Sequence, residues 1–277
     1  MRFRDRGVEI KTAEQAGDMR RAGLVVGQTL ELVAQHIRPG MSTGELDALA
    51  ESHIRDCGAV PSFKGYHGFP GSLCISVNDQ VVHGIPGPLV LDDGDLVSVD
   101  CGAIVDGWHG DAAVSVIVGD PAATTPEVHE LLQVTEEALW HGIAAMRSGG
   151  KVTDISAAVE THVRSVDLRL GIIEDYVGHG IGSQMHQPPN VPNTGKPGRG
   201  PRLVPGLAVA IEPMITLGSP ETTVLADDWT VVSTDGSWAA HFEHTVILTE
   251  DGPWVLTALD GGRERLTGLG VRAAAHE

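Results

Sequence analysis

Basic side chains are scarce in this sequence: 19 Lys and Arg stand against 37 Asp and Glu, for a formal net charge of −18. Binding nucleic acid or an anionic membrane draws on Lys and Arg, so neither is expected as a partner. An acidic chain suits metal cations and protonated amines, although the same charge also serves plain solubility. Cysteine is limited to Cys57, Cys74 and Cys101. An odd number without metal-type spacing excludes a disulfide framework and points to a reducing, cytoplasmic setting. Met1–Ile10 is charged and lacks an apolar h-region, so no signal peptide is expected, and no run reaches the length of a membrane span. Aromatic residues number only 11, so any cluster of them carries information.

What remains is an ordinary globular composition, 42% hydrophobic and 20% charged, in 277 residues. Thr12 with Gln15 forms a capping-box pattern, and Met19, Ala22, Val26, Leu30 and Val33 follow at helical spacing until Pro39-Gly40. Ser42 with Glu45 caps a second helix to about Arg55. Thr125-Pro126-Glu127 opens a third, broken at Ser148-Gly149-Gly150, and a fourth begins near Thr153.

The two helical pairs read as copies. At an offset of 109, six of twenty positions between 36–55 and 145–164 match: Arg38/Arg147, Gly40/Gly149, Ala48/Ala157, Glu51/Glu160, His53/His162 and Arg55/Arg164. Average usage gives roughly one match by chance. Strand-like sequence follows each pair. Leu96–Val105 and Trp108–Val118 flank Asp106-Gly107, a two-residue hairpin signal, and Leu207–Ile211 with His241–Leu248 stand in the second half. The expectation is one α+β domain over residues 1–262, with pseudo-symmetric halves of about 1–125 and 126–262. Residues 263–277 are expected to form a weakly ordered tail.

Polar residues sit in these strands where a half-buried strand does not favour them. With Asp106-Gly107 as the turn, paired residue numbers sum to 213, so Asp111 faces Gly102 and is the diagonal neighbour of Asp100. Backbones so placed lie roughly 7–8 Å apart, and two carboxylates at that spacing call for a cation or a shared proton. Gly206–Glu212 overlays Gly94–Asp100 at an offset of 112, setting Glu212 in the place of Asp100. Glu243 before Val246 overlays Asp111 before Val114 at an offset of 132. Val82-His83-Gly84-Ile85 resembles Gly178-His179-Gly180-Ile181, and His186 follows in a glycine- and proline-rich loop. Four carboxylates with imidazole suit Mn²⁺, Fe²⁺, Co²⁺ or Zn²⁺. Cys101 alternates to the opposite face as a small core residue. His36, His53, His129, His141 and His162 fall in helical segments and read as packing or surface residues. No dinucleotide fingerprint, P-loop or G-x-S-x-G elbow is present.

The blocks Val81–Pro86, Ser98–Asp111, Gly178–His186, Ile211–Met214 and Phe242–Thr245 resemble, in order, the signature blocks of methionine aminopeptidase, over about residues 11–261. The resemblance implies the duplicated pita-bread fold, in which two αβ halves surround a curved antiparallel sheet. It implies a dinuclear centre of two divalent ions (Co, Mn, Fe or Zn) on Asp100, Asp111, His179, Glu212 and Glu243, with Asp111 and Glu243 bridging. The short spacings between His186, Glu212 and Glu243 leave no room for the helical insertion of type II enzymes, which points to type I.

The reaction so implied is removal of the initiator methionine from nascent proteins, with a small second residue favoured. Water acidified by the cations attacks the first peptide carbonyl. Glu212 shuttles the proton, His186 stabilises the oxyanion, and His83 contacts the scissile nitrogen or the product amine. Tyr66, His67 and Phe69, together with Cys74, Met185 and Trp229, would wall the methionine pocket. His241 departs from the family, which tends to carry glutamine there; it reads as a hydrogen-bond partner of a ligand, or else as an accessory metal contact. The expected partners are N-terminal peptides, with the ribosome as a candidate and a monomer as the working state. The alternatives are an X-Pro peptidase of the prolidase or aminopeptidase P type and a non-catalytic binding module on the same scaffold.

Overall fold

Helices begin where the sequence supplies caps. In the computed structural model, which describes residues 7–274, α1 spans Ala13–His36 and opens on the Thr12–Gln15 capping box. Thr12 Oγ1 accepts from the Gln15 N–H, and the Gln15 side chain accepts from the Thr12 N–H, so two otherwise orphaned donors are satisfied. α2, Thr43–Asp56, opens in the same way on Ser42 and Glu45. α3, Pro126–Ala144, carries Pro126 in its first turn, although Thr125 makes no side-chain cap. α4, Val152–Val163, starts with the Lys151 N–H donating to Asp154.

The internal repeat recurs in the backbone. Gly40, Thr43 and Gly44 N–H groups donate to the carbonyls of Leu91, Leu89 and Gly87. Gly149, Val152 and Thr153 donate to those of Leu203, Pro201 and Arg199. Donors shift by 109 and acceptors by 112, the two offsets found in the sequence.

A nine-stranded antiparallel sheet carries both halves. Leu96–Val105 and Trp108–Ile117 pair over their whole length around Asp106-Gly107, both with positive φ as a tight hairpin turn requires. Trp108–Ile117 also pairs with Glu243–Leu248, and that strand with Ala208–Ile211, which leads on to Gly178–Gly180 and Gln187–Val191. Leu73–Val77 pairs with Leu96–Val105 on its other side. α1 crosses the first hairpin so closely that a Cβ on Gly110 would lie 2.9 Å from the Gly23 Cα. Apolar faces of α1 and α2 build one core with the first-half strands, while α3 and α4 supply those of the second half. Cys101 is fully buried in the first core, on the face away from Asp100. The helical histidines His36, His53, His129, His141 and His162 lie on α1–α4.

The expected loose tail is corrected. Arg263–Gly268 forms α5, Leu266 is fully buried beside Trp140 and Val255, and the Ala274 N–H donates to the Pro253 carbonyl. Leu266 and Val271 dock the segment on the second core, Ala274 packs in a cluster with Met19 of α1 and Trp254, and the Arg265 guanidinium lies over the Trp140 ring. Residues 275–277 of that expected tail lie outside the described residues. Among the described residues, no helix is long and apolar enough to cross a membrane.

Candidate active site

One face of the sheet collects the polar residues, and the register explains how. Antiparallel pairing lines residues up in rows across the strands, and residues two apart share a face. Cys74 pairs with Asp100, Asp100 with Ala113, and Ala113 with Glu243. Beyond that, Ile211 pairs with His244 and Met214 with His241, so paired numbers sum to 455 on both sides of a break at Glu212, Pro213 and Phe242. Glu212 therefore stands opposite Glu243. One row runs Cys74, Asp100, Ala113, Glu243, Glu212.

The next row holds Gly102, Asp111, Thr245 and Ala210. Thr245 Oγ1 donates to the Asp111 carbonyl and accepts from its N–H, locking the strand that carries this carboxylate. Gly180 pairs with Val209, which brings His179 beside Ala210 at the end of the same row. Thus Asp100, Asp111, His179, Glu212 and Glu243, separated widely in the chain, come together.

The register corrects one sequence overlay. Pair sums of 213 and 455, with a first-strand offset of 112, give a second-strand offset of 130 rather than 132. Glu243 consequently occupies the place of Ala113, and the place of Asp111 falls to His241. Matching the strands on their apolar residues had slipped by one alternation.

Burial makes this carboxylate group strongly non-ideal. It raises the Asp100 carboxyl to about 7, and raises Asp111, Glu212 and Glu243 well above the usual range, with the neighbouring carboxylates adding to the last three. Asp100 Oδ1, Asp111 Oδ1, Glu212 Oε1, Glu243 Oε1 and His241 Nε2 are buried and make no hydrogen bond. His179 Nδ1 lies 3.0 Å from the Gly180 carbonyl, to which Nδ1–H donates, and Nε2 lies 3.5 Å from Glu212 Oε1. Burial holds His179 and His83 down to about 4 and His241 to about 3, so these imidazoles are neutral. Asp111, His179 and Glu243 offer ligand atoms within 4.8 Å of one another, as do Glu212, His241 and Glu243. Carboxylate oxygens short of a partner, with neutral imidazoles beside them, fit divalent cations.

Beside these residues lies a cavity of about 160 Å³. Phe63, Phe69, Cys74 and Met185 are buried in its wall, with Tyr66 and Trp229 packed against them. Phe69 meets Trp229 edge-on at 5.1 Å between ring centres. His67, His83 and His186 complete the lining. Tyr66 Oη lies 2.9 Å from His186 Nδ1, and the His186 ring packs 4.2 Å from that of His179. His83, held at positive φ, stands edge-on to both Trp229 and Tyr176.

Phe63, Tyr176 and His109 were not anticipated. Phe63 stands just before the aromatic loop it joins, a proximity the sequence did show. His109 accepts or donates at Ser62 Oγ, 3.1 Å away, and is held to about 4 by burial and by His186; only the fold reveals that neighbour.

Residues 17–250 match the model of metallopeptidase family M24. The methionine aminopeptidase 1 of Mycobacterium tuberculosis is 52% identical over 260 residues, covering 91% of this chain and 97% of that protein. The chain belongs to family M24, among its methionine aminopeptidases. The Bacillus subtilis methionine aminopeptidase 1 is 48% identical, over 89% of this chain and 98% of that protein. The crystal structure of the Thermotoga maritima methionine aminopeptidase superposes with a TM-score of 0.87 at 41% identity, covering 91% of this chain and 99% of that one. Prolidase from Pyrococcus furiosus shares the pita-bread fold of this M24 chain, with a TM-score of 0.71 at 21% identity over 90% of this chain and 65% of that one.

Proposed function

We propose that this site hydrolyses the first peptide bond of polypeptides that begin with methionine, using two divalent cations on Asp100, Asp111, His179, Glu212 and Glu243. The observation that carries this reading is a single cavity with an apolar, sulfur- and aromatic-lined wall on one side and a buried carboxylate row on the other. Cys74 belongs to both, being the row neighbour of Asp100 and part of the apolar wall. A thioether side chain in that wall would leave its own amide beside the carboxylates.

When bound, the cations would lower the pKa of water and polarise the carbonyl oxygen. Asp111 and Glu243, diagonal across two paired strands, would hold the cations together with Asp100, His179 and Glu212. Glu212, next to Glu243 in its row and with its backbone carbonyl held by Asn193 Nδ2, receives and returns the proton. His186, steadied by Tyr66, donates to the carbonyl oxygen as negative charge develops. His83, on the Trp229 side of the cavity, faces the scissile nitrogen. Mn²⁺, Fe²⁺, Co²⁺ and Zn²⁺ all suit the donor set.

The substrates on this reading are nascent chains with a small second residue, met in the cytoplasm near the ribosome. Three free cysteines support a reducing compartment. The chain works as a monomer, one domain of two halves meeting near residue 125, in keeping with the repeated backbone hydrogen bonds on either side. The test is residue release by the metal-loaded protein from Met-Ala-Ser, Met-Leu-Ser, Leu-Ala-Ser and an X-Pro dipeptide. Release from Met-Ala-Ser above the others is expected. Release from the X-Pro dipeptide alone would replace the methionine pocket by a proline site.

A further inference from the structure

His241 is the one residue of the two converging groups of ligand atoms that the proposed ligand set leaves out. It lies two residues before Glu243 and so on the same face. It pairs with Met214, two residues past Glu212. Asp111 stands to Asp100 in the same way, opposite Gly102. In the internal repeat His241 thus holds, toward Glu212, the place that Asp111 holds toward Asp100.

Its backbone is fixed. The Ser115 hydroxyl accepts from the His241 N–H at 2.9 Å and donates to the His241 carbonyl at 2.7 Å. With its proton so used, Ser115 can only accept from Ser98, 2.7 Å away across the hairpin. A buried hydroxyl pair therefore anchors the backbone that carries this imidazole. The ring is buried, and Nε2 has no hydrogen-bond partner. It lies 3.8 Å from Glu243 Oε2, too far for a hydrogen bond. Two donors each about 2.1 Å from one ion can stand up to about 4.2 Å apart, so this gap admits a shared cation. Glu212, His241 and Glu243 form one of the two groups of ligand atoms among the described residues that converge within 4.8 Å.

We propose that His241 Nε2 is a direct ligand of the cation at the Glu212 end of the site, alongside His179, Glu212 and Glu243. The proposal rests on the dinuclear reading above and adds a second imidazole to it. Where the first half carries the Asp111 carboxylate, the second half carries a neutral imidazole in the corresponding place. The two ions then sit in unlike environments, the Asp100 end all-oxygen and the Glu212 end with two nitrogens.

The test is ¹H NMR of ¹⁵N-histidine-labelled protein loaded with two equivalents of Co²⁺, which shifts the ring N–H of each bound histidine far downfield. The wild-type protein is expected to show two such exchangeable resonances. His241→Gln should keep one and His179→Asn the other. The looser Co²⁺ of His241→Gln should bind at least about tenfold more weakly by calorimetry. The resonance count in the wild-type protein decides the matter even if a variant fails to fold. One resonance, lost in His179→Asn and kept in His241→Gln, would overturn this proposal and leave the proposed function standing. No shifted resonance would overturn both.

Discussion

Asp100 and Glu243 face the same residue, Ala113, from the strands on either side of it. Two strand spacings separate their backbones by about 10 Å, and only a small side chain between them leaves room for carboxylates to converge. Ala113 is fully buried. Replacing it with leucine should fill the space meant for cations while adding to a sheet that is otherwise unchanged. Divalent-cation affinity should fall by at least about tenfold, on the scale of lost supporting contacts in metal sites. Isothermal titration with Mn²⁺ measures it, and an unchanged affinity in a folded Ala113→Leu protein would remove the cations from this row.

Stability should depend on pH in opposite senses with and without metal. A carboxyl whose pKa is raised on folding keeps its proton in the folded state over the interval between its two pKa values. Its contribution is full below the unfolded pKa and is lost as pH rises through the folded one. Asp100, raised to about 7, and Asp111, Glu212 and Glu243, raised further, therefore destabilise the metal-free protein as pH climbs. The buried histidines, lowered from 6.5, oppose this trend below pH 6.5 and are neutral in both states above it. The chelated protein should lose thermal stability as pH rises above 6.5. With saturating Mn²⁺, which competes with those protons, the slope should reverse. Parallel slopes in the two melting series would mean that the carboxylates do not hold the ions.

Trp229 closes the apolar wall against Phe69 and His83. Trp229 is partly buried, and Trp229→Ala should raise KM for methionine peptides by about tenfold, since truncation removes an apolar wall of the pocket. Cation affinity should be untouched. A fall in cation affinity with KM unchanged would assign Trp229 to the metal end instead.

His186 packs its ring 4.2 Å from that of the proposed ligand His179. His186→Ala is expected to lower kcat by about 10²-fold, the loss typical of one oxyanion donor. Steady-state kinetics at saturating Mn²⁺ would show it. Full turnover in that variant would leave the oxyanion to another group.

The first half of the site could be counted from the sequence because Asp106-Gly107 is a two-residue turn. That turn fixes the register of every pair from Leu96 to Ile117, and with it the diagonal placing of Asp100 and Asp111. The second half has no such ruler. A long excursion separates Met214–Thr216 from Ala239–His241, so matching apolar residues slipped by two positions and set Glu243 rather than His241 in the place of Asp111. Helix starts were legible wherever a cap and its partner lie three residues apart. His109 was not, because its neighbours Ser62 and His186 come from distant segments. The C-terminal helix was overlooked because its docking rests on a few apolar residues spread among polar ones.

The most direct measurement is methionine release from Met-Ala-Ser by chelator-stripped protein titrated with Mn²⁺, with Asp111→Asn beside it. Release should be absent without metal, rise with added Mn²⁺, and stay near zero in the variant at every concentration. Undiminished release from the stripped protein, or from Asp111→Asn, would contradict hydrolysis at the carboxylate row.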